Sequence, residues 1–352
     1  MKGYKSFVLI IWALIIAMAT ILTLRSTETQ KSRHYDLKVK ASEIALLAQQ
    51  KVKERYLELG FTINPEDKNQ TGLIGTRYTM LTTTVGHIES KRTSTNPNFA
   101  AVIVDMLLEA GVREGDYVGM TFSGSFPALN IAASAAAEAM NLKVVIMASL
   151  GASSFGANNP DFTYVDMAEY LYEQKIFSFT PEYVSLGGAN DLGSEFPESL
   201  KEELLSRMKT LNKKIIQIED FSENIEYRKE IFKKYGKMKA FINVGGNLVA
   251  MGQGDAVFPN KNGLIKTKNR LYSKDMGLLD VFLNENIPVI HLLDIKRLAY
   301  RYGLPIDPDG IPAIGIGGVY LEQKYNIFIP IIAIVVSFII LIFYKYFDKY
   351  FE

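Results

Sequence analysis

The sequence predicts an α/β protein with a doubly wound, mostly parallel sheet, flanked by a transmembrane helix at each end. Three observations lead there. Residues 7–24 (FVLIIWALIIAMATILTL) and 327–344 (IFIPIIAIVVSFIILIFY) hold no charged side chain, and each approaches the ~20 residues a helix needs to cross a bilayer. Between them, short apolar runs alternate with helical stretches, which implies βαβ units and right-handed crossovers. Four of those runs end in glycines and hydroxyl residues, a composition suited to ligands that bind at the carboxyl ends of parallel strands.

Composition narrows the function. Lysine and arginine number 39 against 38 aspartates and glutamates, a formal net charge of +1. That balance argues against a nucleic-acid binder, which carries a basic excess or patch. The chain has no cysteine, so disulfides, thiolate metal sites and cysteine nucleophiles are excluded. Its three histidines, His34, His87 and His291, are too dispersed for a zinc site. Neither a cofactor nor a metal is expected.

Residues 1–25 read as a short cytoplasmic tail and the first span. Lys2 and Lys5 precede it, and Lys345 and Lys349 follow the second span at 327–344, so both ends suit the cytoplasm. The domain between would then face outside a cytoplasmic membrane. Arg25, Lys31, Arg33, Lys38 and Lys40 oppose that orientation, but long domains translocate largely regardless of such charges. A cleaved signal peptide is a weaker reading: the apolar run exceeds the usual ~7–15 residues, and Leu22–Arg25 offers no small-x-small site. Tyr325, Tyr344 and Tyr346 stand where an aromatic belt would lie.

Residues 26–70 read as a helical stalk and linker. Leu37, Ala41, Ile44, Ala45, Ala48 and Val52 recur at helical spacing, which suits a stalk or a helix packed on the domain. The soluble α/β domain is placed at 71–320. Helices are expected at 99–110, 127–140, 165–175, 199–211, 225–235 and 278–284, and strands at 117–122, 143–149, 183–186, 214–218, 240–244 and 288–293. The polar segment 251–274 breaks the alternation, and a loop of that length is usually functional or mobile. The tail 345–352 returns to the cytoplasm.

The strand ends carry the chemistry. They are Ser123 to Ser125, then Ser149 to Ser154, then SLGGAND from Ser185 to Asp191, and NVGGN from Asn243 to Asn247. Glycine there lets backbone approach a ligand, and the amides of a following helix favour an anion. The sharpest case is GMTFSGSFPALN, residues 119–130, in which a strand runs through Ser123 and Ser125 into Pro127, a residue suited to a first helical turn. Ser125 could N-cap that helix, bind carboxylate or phosphate oxygens with Ser123, or act as a nucleophile. The segment is not a G-x-S-x-G elbow, since Thr121 occupies the serine position. It also lacks the Walker lysine and the dinucleotide fingerprint, which disfavours nucleotide binding.

A nucleophilic Ser125 would need an imidazole, and His87 and His291 are the candidates. His291 lies in the apolar run VIHLLD, where a core role is the commoner one. His87 lies among hydroxyls beside Lys91 and Arg92, which either supply positive charge to an anion or are solvated loop cations. The ligand-binding set is therefore Ser123, Ser125, Arg92, Ser153, Ser154, Gly187, Gly188, Asn190, Asp191, Gly245 and Gly246. Asn190 and Asp191 are also weak candidates for a divalent metal through oxygen, or simply turn residues.

Residues 93–167, from TSTNPNFAAV to NNPDFTYVDM, together with VSLGGANDLG and FINVGGN, resemble the bacterial poly-γ-glutamate system protein family over about residues 70–320. The resemblance implies a membrane component of poly-γ-glutamate synthesis or export, working with other membrane proteins of that system in the lipid bilayer. Its implied partner is the anionic polymer or its precursor. The ATP-dependent ligase of such a system needs a nucleotide site, and this chain shows no motif for one. Two classes remain: a non-catalytic polymer-binding or assembly component, and a serine-dependent hydrolase or transferase acting on the polymer.

Overall fold

A computed structural model of the chain describes residues 2–258, 261–267 and 273–350, with side chains for 6–258, 261–267 and 273–346. The chain forms two compact units, one from Met1–Arg33 with Leu321–Glu352 and one from His34–Tyr320.

The first unit opens with α1 (Lys2–Arg25) and β1 (Thr27–Lys31). The second opens with α2 (Tyr35–Glu58), in which Ala41, Ala45, Ala48 and Val52 are fully buried on one face. It continues through β2 (Thr82–Thr84), α3 (Ile88–Ser94), α4 (Phe99–Glu109), β3 (Tyr117–Ser123) and α5 (Pro127–Ala139). Then come β4 (Lys143–Ser149), β5 (Ala152–Ser153), α6 (Tyr164–Glu173), β6 (Tyr183–Ser185), α7 (Glu198–Thr210) and β7 (Lys214–Ile215). The unit closes with α8 (Phe221–Lys234), β8 (Met238–Val244), α9 (Leu248–Met251), β9 (Gly263–Ile265), α10 (Leu278–Asn284), β10 (Val289–Leu292) and α11 (Ile295–Arg301). The chain then returns to the first unit with β11 (Leu321–Tyr325) and α12 (Phe328–Tyr350).

The larger unit is a mixed α/β domain on a seven-stranded sheet of order β7-β6-β4-β3-β8-β10-β9. Every neighbouring pair is parallel except β10 with β9. The chain builds outward from β3 through β4 and β6 to β7, then crosses to β8 on the other side of β3, so the order reverses between β3 and β8. Alternation along the strands gives the sheet two apolar faces. Tyr117, Val145, Met147, Phe241 and Val289 form a core with Phe232 of α8 and Phe282 of α10, in which the Phe241 and Phe282 rings lie 4.6 Å apart. Val118, Met120, Phe122, Ile242 and Val244 face the other way and are fully buried. On that side α5 lies against β3 and β8, and α2 and α4 pack on α5. Burial on both faces is why these strands read as continuous apolar runs.

Of the two readings of 26–70, a stalk or a helix packed on the domain, α2 takes the second: it is buried along one face and lies in the unit that begins at His34. Lys38 fixes it through an ion pair with Asp105 at 2.8 Å and a bond to the Val319 carbonyl. Part of the expected loop at 251–274 is a 3-10 turn at Gly254–Ala256 and β9, while Pro259, Asn260 and 268–272 lie outside the described residues. In the first unit, β1 and β11 pair antiparallel from Thr27↔Tyr325 to Lys31↔Leu321. Segments Ser6–Arg25 and Phe328–Tyr346 are helices long and apolar enough to cross a membrane.

Candidate active site at the carboxyl edge of the sheet

Three serines meet where β3 and β4 end. The Ser123 hydroxyl donates to Ser125 Oγ at 3.0 Å, and the Ser125 amide donates back to Ser123 Oγ at 3.2 Å. From the neighbouring strand end, the Ser153 amide donates to Ser125 Oγ at 3.0 Å. Close backbone packing makes this meeting possible. A Cβ on Gly124 would stand 2.9 Å from the Leu150 carbonyl oxygen, and one on Gly156 would stand 2.9 Å from Ser125 Cα. The chain after β4 turns back so that β5 can pair in parallel with β2, which brings Ser153 over the strand ends. Ser125 does not cap α5. The N-cap position belongs to Phe126, without a side-chain cap bond, and Pro127 heads the helix.

Lys91 completes the cluster. It sits on α3 at 2% exposure, with Nζ 2.7 Å from Ser153 Oγ and also donating to the Ser125 carbonyl. The Phe126 ring centroid lies 3.8 Å from Nζ. Among the described residues no carboxylate pairs with it, and burial lowers its pKa to about 7. The peptide before α3 covers the pair: a Cβ on Gly86 would collide with the Ser154 carbonyl oxygen and stand 3.1 Å from Ser153 Oγ.

The sequence left Lys91 and Arg92 together, as charge for an anion or as solvated loop cations, and the helix separates them by about 100°. Arg92 is not in the serine cluster. Its Nε and Nη2 clasp Asp307 at 2.7 and 2.9 Å and Nη1 approaches Glu66, so it is a structural tie rather than an anion ligand. The Asp307 hydrogen bond raises its pKa further.

The remaining candidates divide. Gly245 abuts Ser123, where an added Cβ would stand 2.9 Å from Ser123 Cβ, and Gly187 abuts Ser149 in the same way. Both have positive φ, 90° and 75°, so these turns favour glycine. Ser154 is bound to Thr84 through its amide at 2.9 Å. The Ala189 amide already donates to a carboxylate, that of Glu195, which packs against Gly188 where a Cβ would stand, so this rim is filled from within the chain. Asn190 adopts a left-handed turn with φ 57°. Asp191 is buried in an ion pair with Arg228 and accepts from the Ser185 hydroxyl at 2.8 Å; it is no open metal ligand. Gly246 is exposed beside Leu293. No group of three or more metal-ligating side chains occurs among the described residues.

Neither histidine serves Ser125. His291 is 1% exposed in β10, where Asn243 Nδ2 donates to its Nδ1 at 2.9 Å and Asn243 Oδ1 accepts from Thr121 at 2.8 Å. Burial holds its pKa down to about 4. His87 is the N-cap residue of α3 without a side-chain cap bond, and no hydrogen bond joins it to Ser125 among the described residues.

The part Lys91 plays beside Ser153 was not legible in the sequence, which offered it only as positive charge for an anion or as a solvated cation. Its segment IESKRTS has no apolar period, and only the fold reveals that one of its two cations points inward. No family model, curated protein or solved structure matches the chain.

Proposed function

We propose that the chain is a two-pass membrane component of a poly-γ-glutamate synthesis or export system, and that its domain holds the anionic polymer at the serine cluster. The observation that carries this is the Ser125 hydroxyl. Its oxygen accepts from the Ser123 hydroxyl and the Ser153 amide, and among the described residues its proton has no acceptor. That proton is left for a ligand. Poly-γ-glutamate presents an α-carboxylate and an amide carbonyl in every residue, and either oxygen is a matching acceptor. The position supports the same reading. If the sheet is taken as doubly wound, the β3–β8 reversal is the switch point at which such folds bind ligands.

The resemblance to poly-γ-glutamate system proteins supports the process, and the two apolar helices support a place in the lipid bilayer beside other membrane proteins of that system. Lysines at the outer ends of both spans support cytoplasmic termini and an outside domain. The test is binding of fluorescein-labelled poly-γ-glutamate to the full chain in detergent micelles, followed by anisotropy. Ser123→Ala with Ser125→Ala should weaken binding at least tenfold, and added salt should weaken it too through screening. Affinity indifferent to both would exclude this site. The buried Lys91 favours a second reading, in which the same hydroxyls act on the polymer's amide.

A further inference from the structure

We infer that Lys91 and Ser153 are a general base and nucleophile for acyl transfer, with the Ser125 hydroxyl donating to the carbonyl oxygen under attack. The pair stands on its own geometry; only the choice of poly-γ-glutamate amide as acyl donor rests on the polymer reading above.

The surroundings of Nζ separate Lys91 from the other buried lysines. Lys38 meets Asp105, and Lys213 meets Glu169. Lys91 meets Ser153 Oγ, the Ser125 carbonyl and the face of Phe126. Helix α11 also packs on α3 and carries Lys296, Arg297 and Arg301, of which Lys296 pairs with Glu89 at 3.0 Å. Lys91 itself is met by β5, the β3–α5 turn and the Gly86 peptide, all uncharged, and a bare ammonium is costly in such a place. Burial therefore favours the neutral amine, with a pKa of about 7, near the value that suits a general base at neutral pH.

A neutral amine has two N–H groups and one lone pair. The Ser125 carbonyl can only accept, so one N–H is committed to it. The Phe126 ring can take the second weakly. The lone pair then faces the Ser153 hydroxyl at 2.7 Å, within reach for proton transfer. Ser153 is held in place from both sides, by the pairing of β5 with β2 and by its amide bond to Ser125 Oγ. Because that amide is spent, the free proton of Ser125 is the nearby donor for an oxyanion. The Gly86 peptide lies against the pair and leaves no room for a side chain there.

The chemistry balances. Ser153 Oγ bonds to the acyl carbon as its proton passes to Lys91 Nζ. The tetrahedral intermediate collapses with cleavage of the C–N bond, and Lys91 returns the proton to the leaving amine. Water, or an amine of another chain, then attacks the acyl-serine ester while Lys91 takes its proton, and as the ester C–O bond breaks Lys91 passes that proton to Ser153 Oγ, which restores both groups. The substrate class is a carboxylic amide or ester.

The test treats the full chain in detergent micelles with a biotinylated fluorophosphonate and maps the adduct by peptide mass spectrometry. One adduct on Ser153 is expected, forming faster as pH rises through about 7. Ser153→Ala should abolish it, and both Lys91→Met and Lys91→Arg should slow it at least 100-fold while thermal melts report a folded chain. An adduct on Ser125, labelling that survives Lys91→Met, or a folded wild-type chain that takes no label would overturn the pair. Polymer binding by Ser153→Ala, read by anisotropy, stands or falls separately, so loss of the pair and loss of the polymer site give different results.

Discussion

Lys91 and His291 are both buried without an opposite charge among the described residues, and both should shape the dependence of stability on pH. For Lys91 the unfolded state titrates near 10.5 and the folded state at about 7. The unfolded chain therefore binds the extra proton between those values, and stability rises with pH across that window. Its contribution is complete above the unfolded value and is lost as pH falls towards 7. For His291 the window runs from 6.5 down to about 4, and stability again falls as pH falls through it. Urea titrations at several pH values should show Lys91→Met flattening the slope above pH 7 by up to about 1.4 kcal/mol per pH unit, and His291→Gln flattening the acidic slope. Unchanged slopes would mean these groups are not buried as charge-free bases. The serines were legible in the sequence because each follows an apolar run and a glycine. Lys91 was not, because the partners that desolvate it lie more than thirty residues away at Ser125 and sixty at Ser153.

At the scale of elements, the buried Asp191–Arg228 pair joins the turn after β6 to α8, with both side chains 3% exposed. Asp191→Ala should cost about 3–5 kcal/mol by stranding the guanidinium, whereas Asp191→Leu with Arg228→Met should recover much of that loss. Calorimetric melts of the two variants check it, and a single variant as stable as wild type would refute a structural role. The long elements were readable: β3, β4, β8 and β10 are apolar runs of four to seven residues, and α4 and α5 carry wide apolar faces. Several short ones were not. β2, β5 and β9 span three residues or fewer, and such strands exist only through their partners. α3 and α11 hold three charged residues in seven, whereas the equally short but apolar α10 was legible. The expected strand at 214–218 pairs only at Lys214–Ile215, where β7 ends the sheet.

At the scale of the whole chain, the two apolar helices were plain from length and charge, whereas the docking of α2 depends on partners far along the sequence: Tyr35 bonds the Gly315 carbonyl at 3.1 Å and Tyr320 meets Ser42 at 2.7 Å. The proposed topology makes a direct prediction, aided by the absence of cysteine. Asp309, whose side chain is 94% exposed, replaced by cysteine should react with an impermeant maleimide in intact cells. Reaction only after the cells are opened would reverse the orientation. The pairing of β1 with β11 also sets an order of events during synthesis. β1 leaves the ribosome before the domain, and its partner strand follows only after the whole of His34–Tyr320. At ~5–20 residues per second, that is a wait on the order of tens of seconds. Throughout it, TETQK has unpaired backbone on both edges, while the domain can close its own core. A chain whose translation stops just after Tyr320 would thus have a finished interior and an open strand, so the core and the β1–β11 pair register different stretches of the message.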